Sequence, residues 1–212
     1  MAKDNGTPPT NENGIPAPGS LWSVVLAGGE GSRLRPLVRQ IHADGRPKQF
    51  AVIVGSRSLL RHTLDRSALL VPPWRTVVCA TRPHAAFLPT DLAGPGTPRV
   101  LVQPSNCGTA AGVLLPAHWI LRRDAQATVV VFPSDHFIAD DAVFMARVAE
   151  LVAAAGRHPD RIFLLGAEPD SAESGYGWIE PGEDFGRGMR RVARFLEKPG
   201  PEEAEACLRR GG

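Results

Sequence analysis

The chain has 212 residues, 43% apolar and 22% charged, and its basic residues outnumber its acidic ones by only two. That length can bury a sizeable core in one ordinary domain, and the near-balance of charge gives no reason to expect a nucleic acid or a membrane held by bulk electrostatics. The 22 glycines and 20 prolines follow no period, which excludes collagen-like and low-complexity classes.

Residues 1–20 are rich in Pro, Gly, Asn and Thr with little to bury, and read as a disordered leader. They lack the hydrophobic stretch of a signal peptide, and no apolar run approaches the roughly 18 residues of a membrane span. Cys79, Cys107 and Cys207 are scattered and odd in number, which fits a reducing compartment. The expectation is a cytoplasmic protein.

From Leu21 onward, short apolar runs alternate with helical spacing. Strands are predicted at Trp22–Ala27, Phe50–Val54, Thr76–Ala80, Arg99–Gln103, Thr128–Phe132 and Arg161–Gly166. Helices are predicted at Ser58–Leu70, Thr109–Arg122 and Asp141–Ala155, the last capped by Asp140 or Asp141. After Gly166 the rhythm changes. Tyr176–Ile179 and Met189–Glu197 read as extended, and Pro201–Arg210 as a closing helix. Such alternation implies an α/β fold, a Rossmann-like, mostly parallel sheet with helices on both faces. Ligands of such sheets bind beyond the carboxyl ends of the strands, where the loops Gly28–Arg33, Gln103–Thr109 and Ser134–His136 are expected to converge.

Leu26-Ala-Gly-Gly-Glu-Gly-Ser-Arg33 places three glycines within four positions, so backbone N–H groups can approach a polyphosphate and Arg33 can add a two-pronged contact. It is not a P-loop, for no Gly-Lys-Ser/Thr follows, and Leu34 stands where a dinucleotide fingerprint needs its third glycine. An ordinary glycine-rich turn is the alternative. Only three of the 24 basic residues are lysines, so Lys48 in Pro47-Lys48-Gln49-Phe50 suggests a compact ammonium serving phosphate charge, with a solvated surface lysine as the alternative.

Gln103 and Asn106, with Gly108 and Thr109, can read the edge of a base or simply cap the next helix. Asp135, delivered by an apolar strand, suits a Mg²⁺ ligand or a turn cap, and His136 reads better as a packed imidazole. Gly175-Tyr-Gly177 and Glu197-Lys198-Pro199 suit a sugar ring and its phosphate, or a hairpin with surface charges.

Together and in this order, LAGGEGSRLRPL at 26–37, PKQF at 47–50, QPSNCGTA at 103–110, FPSDH at 132–136, GYGWIEP at 175–181 and FLEKP at 195–199 resemble the nucleotidyltransferases that make nucleotide sugars, in particular the mannose-1-phosphate guanylyltransferases. The resemblance covers residues 22 to about 212. It implies a domain of the nucleotide-diphospho-sugar transferase type over 21–212, acting on a nucleoside triphosphate and a sugar 1-phosphate with Mg²⁺. Neither a nucleic acid nor a membrane is among the partners it implies, and a homo-oligomer is compatible with it.

By the same resemblance Arg33, Lys48 and Asp135 are catalytic, Asp135 being the metal ligand. Leu26, Gly28, Gly29, Gly31 and Ser32 hold the nucleotide, with Gln103, Asn106, Gly108 and Thr109 around its base and ribose. Gly177 and Glu197 hold the sugar and Lys198 its phosphate.

The departures are Cys107 and Ala111, where the family more often has a basic or polar residue and a proline, and a long Val38–Arg46 stretch. The family also continues past a point like Gly212 with an Asn-bearing strand and a second metal-binding Asp, so the domain is expected to be incomplete. The alternative function is a non-catalytic nucleotide- or sugar-nucleotide-binding homologue, or an inactive fragment lacking the second metal ligand.

Overall fold

The computed structural model describes residues 21–92 and 97–211, so the leader expected over 1–20 lies outside the described residues. The chain forms two compact units, divided between Phe163 and Leu164.

The first unit holds four parallel strands in the order β3-β2-β1-β4: β1 Leu21–Leu26, β2 Thr76–Thr81, β3 Arg99–Gln103 and β4 Thr128–Pro133. Side chains alternate across this sheet with period two. Val25, Val78 and Phe132 enter one buried layer with Leu60, Leu64, Met145, Val148 and Val152. Val24 and Val77 enter the other with Ile120, against Trp119, Val129 and Val131. The helices α2 (Leu59–Ser67) and α5 (Asp141–Arg157) supply the first layer and α4 (Gly108–Leu121) the second, which is the two-faced cover a parallel sheet requires.

The helix starts follow from local chemistry. Ser58 Oγ accepts from Arg61 N at 3.0 Å at the head of α2, and Asp140 Oδ1 accepts from Ala142 N and Val143 N at 3.0 Å at the head of α5. Ser58 also donates its hydroxyl proton to the buried Asp91 at 2.5 Å. Burial pushes that carboxyl above its ordinary value, against the lowering influence of Ser58, Arg46 and Arg61.

Two predicted strands are absent. Phe50–Val54 begins within the 3-10 turn Lys48–Phe50, runs on irregularly and pairs with no described strand. Its apolar residues serve burial instead: Phe50 and Ala51 are enclosed, with the Phe50 ring 5.5 Å from that of Phe87. Arg161–Gly166 pairs with no described strand, and Ile162, Leu164 and Leu165 are exposed. Without a ladder neighbour an apolar run has nothing to hold it extended. Two short helices were not anticipated, α1 (Arg35–Ile41) inside the long connection before Lys48 and α3 (Leu88–Leu92).

The second unit is an antiparallel pair, β5 (Gly177–Gly186) and β6 (Met189–Glu197), followed by α6 (Pro201–Arg209). Trp178, Ala204 and Cys207 form its core. Among the described residues no helix is long and apolar enough to cross a membrane.

Candidate active site

β1 delivers the glycine loop to the carboxyl edge of the sheet, and the destination of its backbone groups determines what it can bind. Leu26 O accepts from Ser134, from its N at 3.2 Å and its Oγ at 2.5 Å. Ala27 N donates to Cys79 O at 2.8 Å. Ala27 O and Gly29 O both accept from the side-chain amide of Gln49, at 3.1 and 2.8 Å. The carbonyls of Leu26, Ala27 and Gly29 are thus tied to the protein. No described residue accepts a hydrogen bond from the N–H groups of Gly28, Gly29, Glu30 or Gly31. A backbone stretch with its donors left over is suited to an anion.

Two of the glycines are dictated by their neighbours. Gly31 has φ +59°, and a Cβ there would lie 2.8 Å from Lys48 Cγ and 3.2 Å from Lys48 N. A Cβ on Gly28 would lie 3.2 Å from Thr81 Cγ2. The loop therefore packs directly against Lys48 and the end of β2. Lys48 sits in the 3-10 turn Lys48–Phe50, and its Nζ lies 2.7 Å from Asp135 Oδ2, both side chains being partly exposed. His136 Nε2 is 3.6 Å from the other Asp135 oxygen. The structure thus joins Lys48 and Asp135, two of the three residues implied as catalytic. The third, Arg33, is exposed on the short turn Ser32–Leu34, one turn beyond the glycines.

A hollow of about 200 Å³ opens beside the loop, lined by Glu30, Gly31, Arg35, Arg46, Lys48 and His84 among others. Its cations face carboxylates: Arg35 pairs with Glu30 at 3.4 Å and Arg46 with Asp44 at 2.6 Å. The Arg46 guanidinium holds the Asp44 carboxyl down at about 2, so the pair persists across ordinary pH. Nearby, Thr81 Oγ1 and His84 Nδ1 are buried with no hydrogen-bond partner among the described residues.

The residues expected around a base are less closely gathered. Gln103 is buried at the end of β3 and donates to Cys79 Sγ at 3.1 Å; burial pushes that thiol up, against the lowering effect of the Gln103 contact. A Cβ on Gly112 of α4 would lie 3.5 Å from Gln103 Nε2 and 3.6 Å from Leu26 Cδ2, so Leu26 and Gln103 do come together. Asn106, Gly108 and Thr109 are exposed around the start of α4. Asn106 Oδ1 accepts from Gly108 N at 3.0 Å, whereas Thr109 makes no cap.

In the second unit Gly177 and Glu197 are cross-strand partners. A Cβ on Gly177 would meet Phe195 Cζ at 2.9 Å and Glu197 Oε2 at 3.2 Å, so these two side chains close directly over the glycine. Lys198 has φ 49°, donates its N–H to Tyr176 O at 3.2 Å and places Nζ 3.0 Å from Glu197 Oε1. These three expected residues form one exposed cluster, with the Phe195 ring against Gly177.

Sequence reading assigned nothing to Gln49 or Ser134, which tie down the loop. Both stand within motifs that carry the resemblance, PKQF at 47–50 and FPSDH at 132–136, without a role of their own.

Among known proteins, the family described as Nucleotidyl transferase matches residues 22–212. The xanthan biosynthesis protein XanB of Xanthomonas campestris is 35% identical over 190 residues, 89% of this chain and 39% of its own length. The mannose-1-phosphate guanylyltransferase RfbM of Salmonella typhimurium is 34% identical over 198 residues, 91% of this chain and 40% of its own length. A Thermus thermophilus crystal structure described as mannose-1-phosphate geranyltransferase superposes with TM-score 0.79 at 34% identity, covering 91% of this chain and 54% of that one. A Bacillus anthracis structure described as a putative glucose-1-phosphate thymidylyltransferase shares the fold, with TM-score 0.59 at 19% identity, covering 85% of this chain and 65% of that one. The chain spans about two fifths of the length of the curated relatives it matches. With the family match running from β1 through α6, and with the glycine loop, Lys48 and Asp135 gathered at one sheet edge, the chain belongs to the nucleotidyl transferase family.

Proposed function

We propose that the chain transfers a nucleotidyl group from GTP to mannose 1-phosphate, giving GDP-mannose and pyrophosphate. The observation that carries this reading is the Lys48–Asp135 pair at 2.7 Å, beside a loop whose backbone donors have no acceptor among the described residues. Relatives bearing the name mannose-1-phosphate guanylyltransferase support the choice of base and sugar.

In the reaction an oxygen of the sugar phosphate attacks the α-phosphorus in line. The bond from that phosphorus to the bridging oxygen breaks, and pyrophosphate leaves with the electron pair. No covalent enzyme intermediate is needed, so the protein supplies positioning and charge neutralisation. The N–H groups of the glycine loop, with Gly28, Gly29, Gly31 and Ser32, cradle the triphosphate, and Arg33 takes its far end. Lys48 neutralises charge on the attacked phosphate. Leu26, Gln103, Asn106, Gly108 and Thr109 surround base and ribose. Gly177 and Glu197 hold the sugar and Lys198 its phosphate.

The donor set fits Mg²⁺. Among the described residues no three His, Cys, Asp or Glu side chains gather as a metal cage, and Asp135 offers one carboxylate. Mg²⁺ is commonly held by one or two carboxylates, with waters and substrate phosphates completing its octahedron. Asp135 would hold the ion, which when bound offsets phosphate charge.

The test is pyrophosphate release by the full chain with Mg²⁺, crossing GTP, ATP, UTP, CTP and dTTP against mannose and glucose 1-phosphates. Turnover with GTP and mannose 1-phosphate is expected. Turnover with another pair only would replace the substrates. A folded, nucleotide-binding but silent chain would favour a binding-only homologue.

A further inference from the structure

We propose that Gln49 is the positioning residue of the phosphate-binding loop, an inference that rests on reading this loop as the triphosphate cradle. Gln49 is 2% exposed, held between Lys48 and the core residue Phe50. Its Nε2 carries two hydrogens, and both are used: one on Ala27 O at 3.1 Å and one on Gly29 O at 2.8 Å. Because both partners are acceptors, the nitrogen of the amide must be the end that faces them.

The consequence follows from peptide geometry. In a planar trans peptide the C=O and the next N–H point in opposite directions. Drawing Ala27 O and Gly29 O toward Gln49 therefore turns the N–H groups of Gly28 and Glu30 away from it. These are among the donors with no protein acceptor among the described residues. One side chain thus sets two peptide planes of the loop, and it belongs to the residue next to Lys48. The 3-10 turn Lys48–Phe50 fixes the loop donors and the ammonium in a single frame.

The test uses the full chain with inorganic tripolyphosphate, which reads the loop without base or sugar. Gln49→Met keeps the length and removes both donors, while Gln49→Glu sets two acceptors against two acceptors. Binding to folded Q49M, measured well below its melting temperature, is expected to weaken about tenfold or more, with Q49E at least as weak. A lowered melting temperature with tripolyphosphate affinity within about twofold of wild type would make Gln49 a packing residue only and overturn the proposal.

A second readout needs no variant. By NMR of the ligand-free wild type, the Gln49 side-chain amide protons should exchange slowly with solvent, and exchange at the free rate would overturn the proposal. A wild type that fails to bind tripolyphosphate overturns it as well. A wild type that binds tripolyphosphate but turns over no nucleotide overturns the proposed function alone, and the Q49M comparison still decides the role of Gln49.

Discussion

Lys48 and Asp135, far apart in sequence, meet at 2.7 Å because each ends a segment anchored in the core. Lys48 opens the turn that buries Phe50, and Asp135 follows β4, whose Phe132 is 4% exposed. Asp135 follows the strand next to β1, and Gly31 of the loop that continues β1 packs against Lys48, so the loop lies beside the pair. In the ligand-free chain each neutralises the other. On the proposed function, a bound polyphosphate would give the ammonium an anionic partner and free the carboxylate for a cation. The pair is therefore expected to matter for chemistry far more than for folding.

Asp135→Asn tests that separation. A partly exposed ion pair contributes roughly 0–1 kcal/mol to stability. At roughly 2–4 °C per kcal/mol for a chain of this size, the melting temperature should move by only a few degrees. Turnover in the pyrophosphate assay should fall by about 10²–10³, as for other lost charge contacts in a transition state. Full activity in the variant would remove Asp135 from the mechanism.

Gly31→Ala acts through geometry instead. The left-handed backbone at φ +59° costs an alanine roughly 1–2 kcal/mol. The new Cβ would also lie 3.2 Å from Lys48 N, a backbone atom that cannot swing aside as the Lys48 side chain can. The turn carrying Lys48 must shift, so loss of turnover should accompany a melting temperature lower by several degrees, about 2–4 °C per kcal/mol. Calorimetry and the pyrophosphate assay on the same sample check both, and a variant with wild-type turnover would show that the close approach is dispensable.

The four parallel strands were legible because each is a run of apolar, largely β-branched residues between turn signals, as in Trp22–Ala27 and Thr128–Phe132. Phe50–Val54 carries the same signal without being a strand, since composition does not reveal whether a neighbouring edge is free. Asp135 stood out as a carboxylate at the end of an apolar strand and Lys48 as a rare lysine in PKQF, although the strand expected after Lys48 is a turn and an irregular stretch. The role of Gln49 was not, because a buried amide acquires its meaning only when residues 27–29 fold back onto it. The Gly177–Glu197 approach was half visible, the residues in sequence and the cross-strand register only in the structure.

Asp91→Asn should reveal a pH-dependent cost in the fold. Burial raises the folded carboxyl above its ordinary value of 3.8, so above that pH the unfolded chain gives up its proton more readily than the folded one. The stability associated with the neutral form is complete below 3.8 and is lost as pH rises through the folded value. Asparagine is neutral throughout and keeps an oxygen to accept from Ser58. The variant should melt higher than wild type at pH 7, with the difference vanishing below pH 3.8. Thermal melts across that range check it, and a gain independent of pH would point to another cause.

Lys198→Ala separates the two proposed substrates. Lysine already carries a Cβ at φ 49°, so alanine adds no backbone strain, and the exposed ion pair with Glu197 contributes little to stability. What is lost is a cation beside the residue proposed to hold the sugar. A charged hydrogen bond contributes roughly 1.5–3 kcal/mol, so KM for mannose 1-phosphate should rise by about 10- to 100-fold. Affinity for GTP, measured directly by calorimetry, should stay within about twofold, because the glycine loop and Lys48 are untouched. Equal losses for nucleotide and sugar phosphate would show that Lys198 does not serve the sugar phosphate.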